Sequence, residues 1–346
     1  MRYLFQRLLQ GIWVIWGIVT LLFIMFFALG DPIDYLVADN ADEATRAAIR
    51  IRYGLDQPLP VRYLGYLHRL SPLGMIPADD PDMIWPLIPA GDTYLAVKIP
   101  DLGRSFQGNA PVSRMIGTRL EGTWYLAWVS ILLAGLIGIS LGVIAALRPD
   151  AWLDRVILSV SVLGISAPSF FVGVLVAWLF AVVLRPLTGL DVSGYMFEED
   201  LFTPGRHLVL RHLILPALAL GIRPLAIFVQ LTRSSMLEVL RADFVRTAYA
   251  KGLSPRLVVI RHALRNALNP VLTAVTGWLA SLLAGAFFVE YIFNWQGIGK
   301  LTLDALETQD FPVITGCALT IGAIFVGVNM VTDLLYAVLD PRVRLR

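Results

Sequence analysis

The segment GTWYLAWVSILLAGLIGISLGVIAAL, Gly122 to Leu147, runs for 26 residues without a single Asp, Glu, Lys or Arg. About 20 apolar residues span the ~30 Å of bilayer hydrocarbon, so this stretch reads as a transmembrane helix. Comparable uncharged runs occupy Leu8 to Gly30, Val156 to Leu184 and Phe311 to Thr332. A fifth, Asn266 to Val289, has Asn269-Pro270 near its start, and proline is tolerated in a first helical turn. A sixth, Leu213 to Thr232, is interrupted in charge by Arg223-Pro224. Six transmembrane helices are therefore expected, in an all-α integral membrane protein. The run after Arg2 and Arg7 is too long for the apolar core of a cleaved leader, which is about 7–15 residues.

Composition agrees with the spans. Of 346 residues 57% are hydrophobic and 16% charged, against about 25% charged in soluble domains. The net charge of +2 gives no basic face for nucleic acid. Cys317 is the single cysteine, which excludes an internal disulfide and any cysteine-based cluster. His68, His207, His212 and His262 are scattered and form no close helical pair, so no metal site is expected. Nine tryptophans and eleven tyrosines fit interfacial aromatic belts.

Short loops rich in Lys and Arg stay in the cytoplasm. One set of helix ends carries fourteen, from Arg2 and Arg7 through Arg148, Arg155 and the Arg233 to Arg265 loop to Arg342, Arg344 and Arg346. The opposite short loops carry four: Arg185, Arg206, Arg211 and Lys300. Both termini are thus expected in the cytoplasm. The expected division is residues 1–30 for the N-terminal end and helix 1, 31–121 for an extracytoplasmic insertion between helices 1 and 2, 122–339 for helices 2–6 and 340–346 for a cytoplasmic tail. Within the insertion, Ala41 to Tyr53 and Pro58 to Leu70 read as short helices, whereas Ser71 to Pro100, with six prolines and no periodicity, reads as loop.

The loop between the fourth and fifth helices, 233–269, has its own local chemistry. Asp243 is a candidate helix cap, Gly252 a positive-φ turn, and Ser254-Pro255 an N-cap followed by proline at the first helical position. Helix, tight turn, helix is expected. Arg241, Arg246, Lys251, Arg256 and Arg261 recur every five residues and scatter around a helix by ~140° per step, which a positive-inside loop explains without any partner.

Asp243 to Asn266 resembles the signature loop of binding-protein-dependent ABC transporter permeases, specifically the dipeptide, oligopeptide and nickel family. Matching motifs follow in order along nearly the whole chain: Gly30-Asp31-Pro32, Tyr53-Gly54-Leu55-Asp56-Gln57-Pro58, Asp101-Leu102-Gly103-Arg104-Ser105, Ser166-Ala167-Pro168-Ser169-Phe170, Leu215-Pro216-Ala217, Thr232-Arg233-Ser234-Ser235-Met236, Trp295-Gln296-Gly297-Ile298-Gly299-Lys300, Asp333-Leu334-Leu335-Tyr336 and Asp340-Pro341-Arg342. Arg246-Thr247-Ala248 stands where the general loop motif has Glu-Ala-Ala, and Ser71 to Pro100 is longer than the family's usual outer segment.

The resemblance implies six helices of the ABC importer permease type in a bacterial or archaeal inner membrane. It implies half of a translocation path for di- or oligopeptides, shared with a second homologous permease subunit. Two ATP-binding subunits and an extracytoplasmic substrate-binding protein complete such an assembly. The loop over 243–262 would then be a coupling helix docking in an ATPase groove, with Ala248 and Gly252 at the dock and Phe244, Arg246, Thr247 and Lys251 around it. ATP and Mg would belong to the partner ATPases, with no cofactor and no catalytic residue in this chain. A phosphate loop needs Gly, four residues, then Gly-Lys-Ser/Thr; before Gly299-Lys300 stands Asn294, and Leu301 follows.

Arg223, Glu290 and Asp333 are the intramembrane polar candidates, because a charge in hydrocarbon costs roughly 2.5–3.5 kcal/mol on insertion scales. Arg223 reads as a pathway residue, or as a structural one that snorkels or pairs with Asp333 or Glu290. Pro168 reads as a bend. The alternative function is a stand-alone secondary transporter or channel, which would act without an ATPase.

Overall fold

A computed structural model describes residues 2–28, 33, 42–52, 55–77, 83–195, 197–199 and 206–339. The tail 340–346, Gly30-Asp31-Pro32, Tyr53-Gly54 and Ala41 lie outside them. The chain divides into two compact units, one made of 1–7, 119–300 and 323–346, the other of 8–118 and 301–322.

In the first unit, α1 (Arg2–Ala28) contributes only its start. The C-terminal parts of α2 (Val112–Leu147) and α3 (Phe311–Leu339) surround the long helix α4 (Arg211–Leu240) together with α5 (Trp152–Ser166), α6 (Ser169–Val176) and its π-wound continuation Ala177–Val183. The unit is completed by α7 (Asp243–Ala250), the helical stretch 255–267, α8 (Asn269–Gly285) and α9 (Phe287–Ile292). Its core is one cluster that includes Leu126, Ile131, Val172, Leu215, Phe228, Leu283, Phe293 and Trp295.

The apolar runs become helices, but unequally. Among the described residues, four helices are long and apolar enough to cross a membrane. The third expected span is instead two helices, Trp152–Ser166 and Ser169–Val183, meeting at 117°. Pro168 sits at the break as the residue ahead of α6, with φ −59° and ψ 140°; having no N–H and an extended conformation, it starts a new helix where the sequence suggests a bend in an old one. The fifth run gives α8, 17 residues long, which stops at Ala286. Arg223-Pro224 does not interrupt α4, a continuous 30-residue helix with both Pro216 and Pro224 inside it. α2 begins ten residues ahead of the expected Gly122. At 36 residues it measures roughly 54 Å, so it overshoots the hydrocarbon and its first turns accommodate Arg114, Arg119 and Glu121.

In the second unit, α10 (Glu43–Arg52) and α11 (Leu59–Leu70) match the two expected short helices. Asp42 accepts the Thr45 N–H at 3.2 Å ahead of α10, and hydrogen bonds from Thr45 hold its carboxyl below the usual carboxylate range. The expected loop over Ser71 to Pro100 is corrected by a three-stranded antiparallel sheet: β1 (Leu73–Pro77), β2 (Met83–Ala90) and β3 (Thr93–Lys98), ordered β1-β3-β2. Pro86 and Pro89 are allowed because β2 is an edge strand, and register shifts flank Pro86. In the first unit, a two-stranded ribbon pairs Phe197–Glu199 with Arg206–Leu208. The chain is therefore helical through its apolar core but not all-α.

α2 and α4 approach closely where side chains are small. A Cβ on Gly142 would lie 2.6 Å from the Thr232 Cβ, and one on Gly221 would lie 2.9 Å from the Ser130 carbonyl oxygen. Such small-residue contacts let helix backbones meet in lipid, where apolar burial gives helices little reason to associate. Gly142→Val should lower the thermal midpoint of the detergent-solubilised protein by the equivalent of about 1–3 kcal/mol of overpacking. Gly135→Val, on the same helix with nothing within 4 Å of its Cβ position, should not.

Candidate functional site

The exposed segment following α4 is built from the inside outward. α4 ends at Arg241, whose N–H is shared between the Glu238 and Val239 carbonyls. Ala242, extended at ψ 147°, starts α7. Asp243 is thus the first helical residue and not the cap; its charge faces the positive end of the helix dipole. Val245 and Ala248, three apart on one face, are buried against Val258 with Val239, Leu240 and Leu253 packed around them. This apolar contact fixes the eight-residue helix to the end of α4.

The remaining surface of α7 is open. Phe244 and Tyr249 are each 45% exposed, and Arg246, Thr247 and Lys251 are exposed as well. Arg246 makes only a 3.5 Å surface pair with Asp243, which is worth little. The Thr247 hydroxyl is turned back onto the Asp243 carbonyl at 2.9 Å. Gly252 closes the helix at φ +76° with its N–H on the Tyr249 carbonyl at 2.9 Å, and a Cβ there would meet nothing within 4 Å. Backbone conformation, and not crowding by its own chain, calls for glycine at this position.

Ser254 and Pro255 then open the stretch 255–267, whose Val258–Leu264 portion is π-wound. Arg241, Arg256 and Arg261 are exposed alongside Arg246 and Lys251. Ala248, expected at the dock, is covered by its own chain. Tyr249 is the exposed aromatic that the sequence reading passed over; the Val245/Ala248 spacing, which turns it outward, was the available signal.

The intramembrane candidates do not come together. Asp333 pairs with Arg7 at 2.9 Å. Glu290 is fully buried: the Thr123 hydroxyl donates to it at 2.7 Å and the Lys300 N–H at 2.9 Å, while Thr123 accepts the Ile298 N–H at 2.9 Å. Nearby, the Trp295 indole donates to the Gly122 carbonyl at 2.9 Å. Gly297 is required by contact, since a Cβ there would fall 2.3 Å from the Glu290 carboxylate. The motif Trp295 to Lys300 is thus a clasp around one carboxylate.

Arg223 pairs with neither acid. It is exposed and, among the described residues, makes no ion pair or hydrogen bond, because Arg7 and the clasp have already satisfied the two carboxylates. Sequence reasoning missed the shortest ion pair among the described residues, in which buried Asp154 on α5 accepts from Arg233 Nε at 2.6 Å and Nη2 at 2.7 Å. In the second unit, the Asp101 to Ser105 motif forms a turn in which Asp101 accepts the Gly103 N–H at 2.8 Å and Ser105 donates to buried Asp310.

Several helices long and apolar enough to cross a membrane, packed around one central helix with a short helix pinned at its end, define a helical membrane protein. The chain belongs to the family described as binding-protein-dependent transport system inner membrane component, whose model matches residues 138–345, and the model of that family's N-terminal part matches residues 1–78. It is an ABC transporter permease. It is 37% identical over 343 residues to the di/tripeptide transport system permease protein DppB of Pseudomonas aeruginosa, covering 95% of this chain and 94% of that protein. It is 34% identical over 359 residues to the dipeptide transport system permease protein DppB of Alkalihalophilus pseudofirmus, covering 99% of both. Its fold is shared with an inward-facing structure of the MetNI methionine ABC transporter, with TM-score 0.51 and 15% identity over 66% of this chain and 98% of that one.

Glu290→Ala would leave the Thr123 hydroxyl and the Lys300 N–H buried without their acceptor, at a cost of about 2–3 kcal/mol. The checking measurement is the thermal midpoint of the solubilised protein, which should fall for Glu290→Ala and fall less for Glu290→Gln.

Proposed function

We propose that this chain is the membrane-spanning subunit of an ATP-driven importer of di- or oligopeptides, and that α7 is its coupling helix. The family membership supports the permease role; peptide as cargo rests on the two relatives named for it. In this reading six segments cross the inner membrane with both termini in the cytoplasm, the bent pair α5/α6 and the shorter α8 each serving as one crossing. A second homologous permease supplies the other half of the path. Two ATPase subunits bind ATP and Mg2+, and an extracytoplasmic binding protein delivers the peptide.

The single observation that carries the coupling role is the mounting of α7. Val245 and Ala248 fasten it to α4, while Phe244, Arg246, Thr247, Tyr249 and Lys251 stay exposed and Gly252 borders open space. A groove closing on that surface would push a short rigid helix, and the buried contact would pass the push to α4 as rigid-body motion. Gly252→Asp should retain membrane insertion but lose ATP-dependent uptake and ATPase copurification. Uptake by this chain alone, driven by an ion gradient, would instead establish the secondary-transporter alternative.

Arg223 is assigned to the path or to the facing permease. An exposed guanidinium in the apolar middle of α4 is costly against lipid, and a peptide carboxylate is its natural counter-ion. Arg223→Gln should reduce peptide uptake in proteoliposomes of the whole importer while leaving subunit assembly intact. Loss of assembly would place Arg223 at the permease–permease contact.

A further inference from the structure

Pairing across the sheet of the second unit puts Leu73, Val97 and Trp85 in one row and Met75, Leu95 and Ile88 in the next. Directly paired residues point to the same face, so these six form a continuous apolar surface without an ionisable group. Leu73, Met75, Trp85 and Ile88 are between 50 and 66% exposed. On β1 and β3 the opposite face is closed, with Gly74, Ile76, Ala96 and Lys98 buried and the Lys98 ammonium donating to the Arg69 carbonyl on α11 at 3.2 Å, whereas along β2 Ile84 and Leu87 are exposed as well. A water-facing sheet normally carries polar residues on its outer side, and patches of this kind mark a contact.

The position of α11 indicates which contact. The Tyr63 hydroxyl meets the Thr20 hydroxyl at 2.7 Å, and the Phe23 ring lies 5.1 and 5.6 Å from the rings of Tyr63 and Tyr66. Thr20 lies eight residues before the end of α1, roughly 12 Å back along the helix, so α11 packs against α1 at the depth of its apolar stretch. On the side of α11 turned away from this contact, Val61 and Leu64 are 50 and 65% exposed. A partner that docks and leaves in each cycle meets a surface about as polar as the rest of the protein; this face has no charge at all.

We propose that α11 and the sheet form an interfacial element lying in the bilayer surface around α1, with Leu73, Met75, Trp85 and Ile88 in contact with lipid. The inference rests on α1 being a membrane span. The experiment uses the whole importer, copurified through this chain and placed in nanodiscs, with Cys317→Ala and one nitroxide label at a time on Met75→Cys, Trp85→Cys or Ile88→Cys. Collision with oxygen should exceed collision with a nickel chelate at all three positions. Nickel accessibility should fall to that of a label on Ile12→Cys of α1, with Asp92→Cys in the β2–β3 turn as the aqueous reference, and should not change when binding protein is added. High nickel accessibility at the three positions overturns the proposal. So does low accessibility to both reagents, which means burial against the second permease, and so does protection that arises only with the binding protein. If the Ile12 control is itself nickel-accessible, α1 is not a span and the underlying reading fails instead.

Discussion

The close approach of α2 and α4 is the constraint on which the bundle depends. Gly142 and Gly221 leave no room for a Cβ, and at that separation the backbones themselves become packing surfaces. α4 is consequently the most enclosed of the long helices, with most of its apolar window buried within the chain, whereas α1 is largely exposed. A helix held this way can move only as a body. The two features of functional interest, the α7 mount at its cytoplasmic-expected end and Arg223 at its middle, are attached to that one body.

Charge within the apolar core follows a consistent rule: each buried acid is enclosed by donors within its own unit. Asp154 takes a two-pronged Arg233 contact that ties the start of α5 to the last turns of α4. Glu290 takes a hydroxyl and a main-chain N–H, and these close the segment after α9 around it. Neither is positioned to serve a substrate, because a carboxylate with its acceptor sites occupied by fixed donors has little left to offer a passing ligand. Arg223 is the opposite case, a cation without a partner among the described residues, on a helix otherwise well packed.

Much of the core was legible because its signals are local. Uncharged runs of about 20 residues declare helices whatever they pack against, and Gly252 and Ser254-Pro255 declare a turn through backbone conformation alone. The apposition of Asp154 and Arg233, separated by 79 positions, leaves no mark in either neighbourhood, and whether Arg223 snorkels or pairs with Asp333 or Glu290 is equally illegible there, because choosing among acids requires tertiary geometry. The burial of Ala248 was hidden for a related reason: a motif position states which residue recurs, not which side of the helix it occupies.

The sheet in the outer insertion was hidden by its prolines, and the cause is physical. Proline normally argues against a strand because it removes a ladder donor, but at an edge that donor has no partner to lose. Pro86 and Pro89 sit on the edge strand β2, and Pro77 ends β1, the other edge. Six prolines without periodicity therefore describe not only a loop but also a small sheet with two protected edges and one central strand. β3, the strand that needs donors on both sides, contains no proline. Edges blunted this way resist pairing with another chain, which restricts the use of this surface to its flat apolar face.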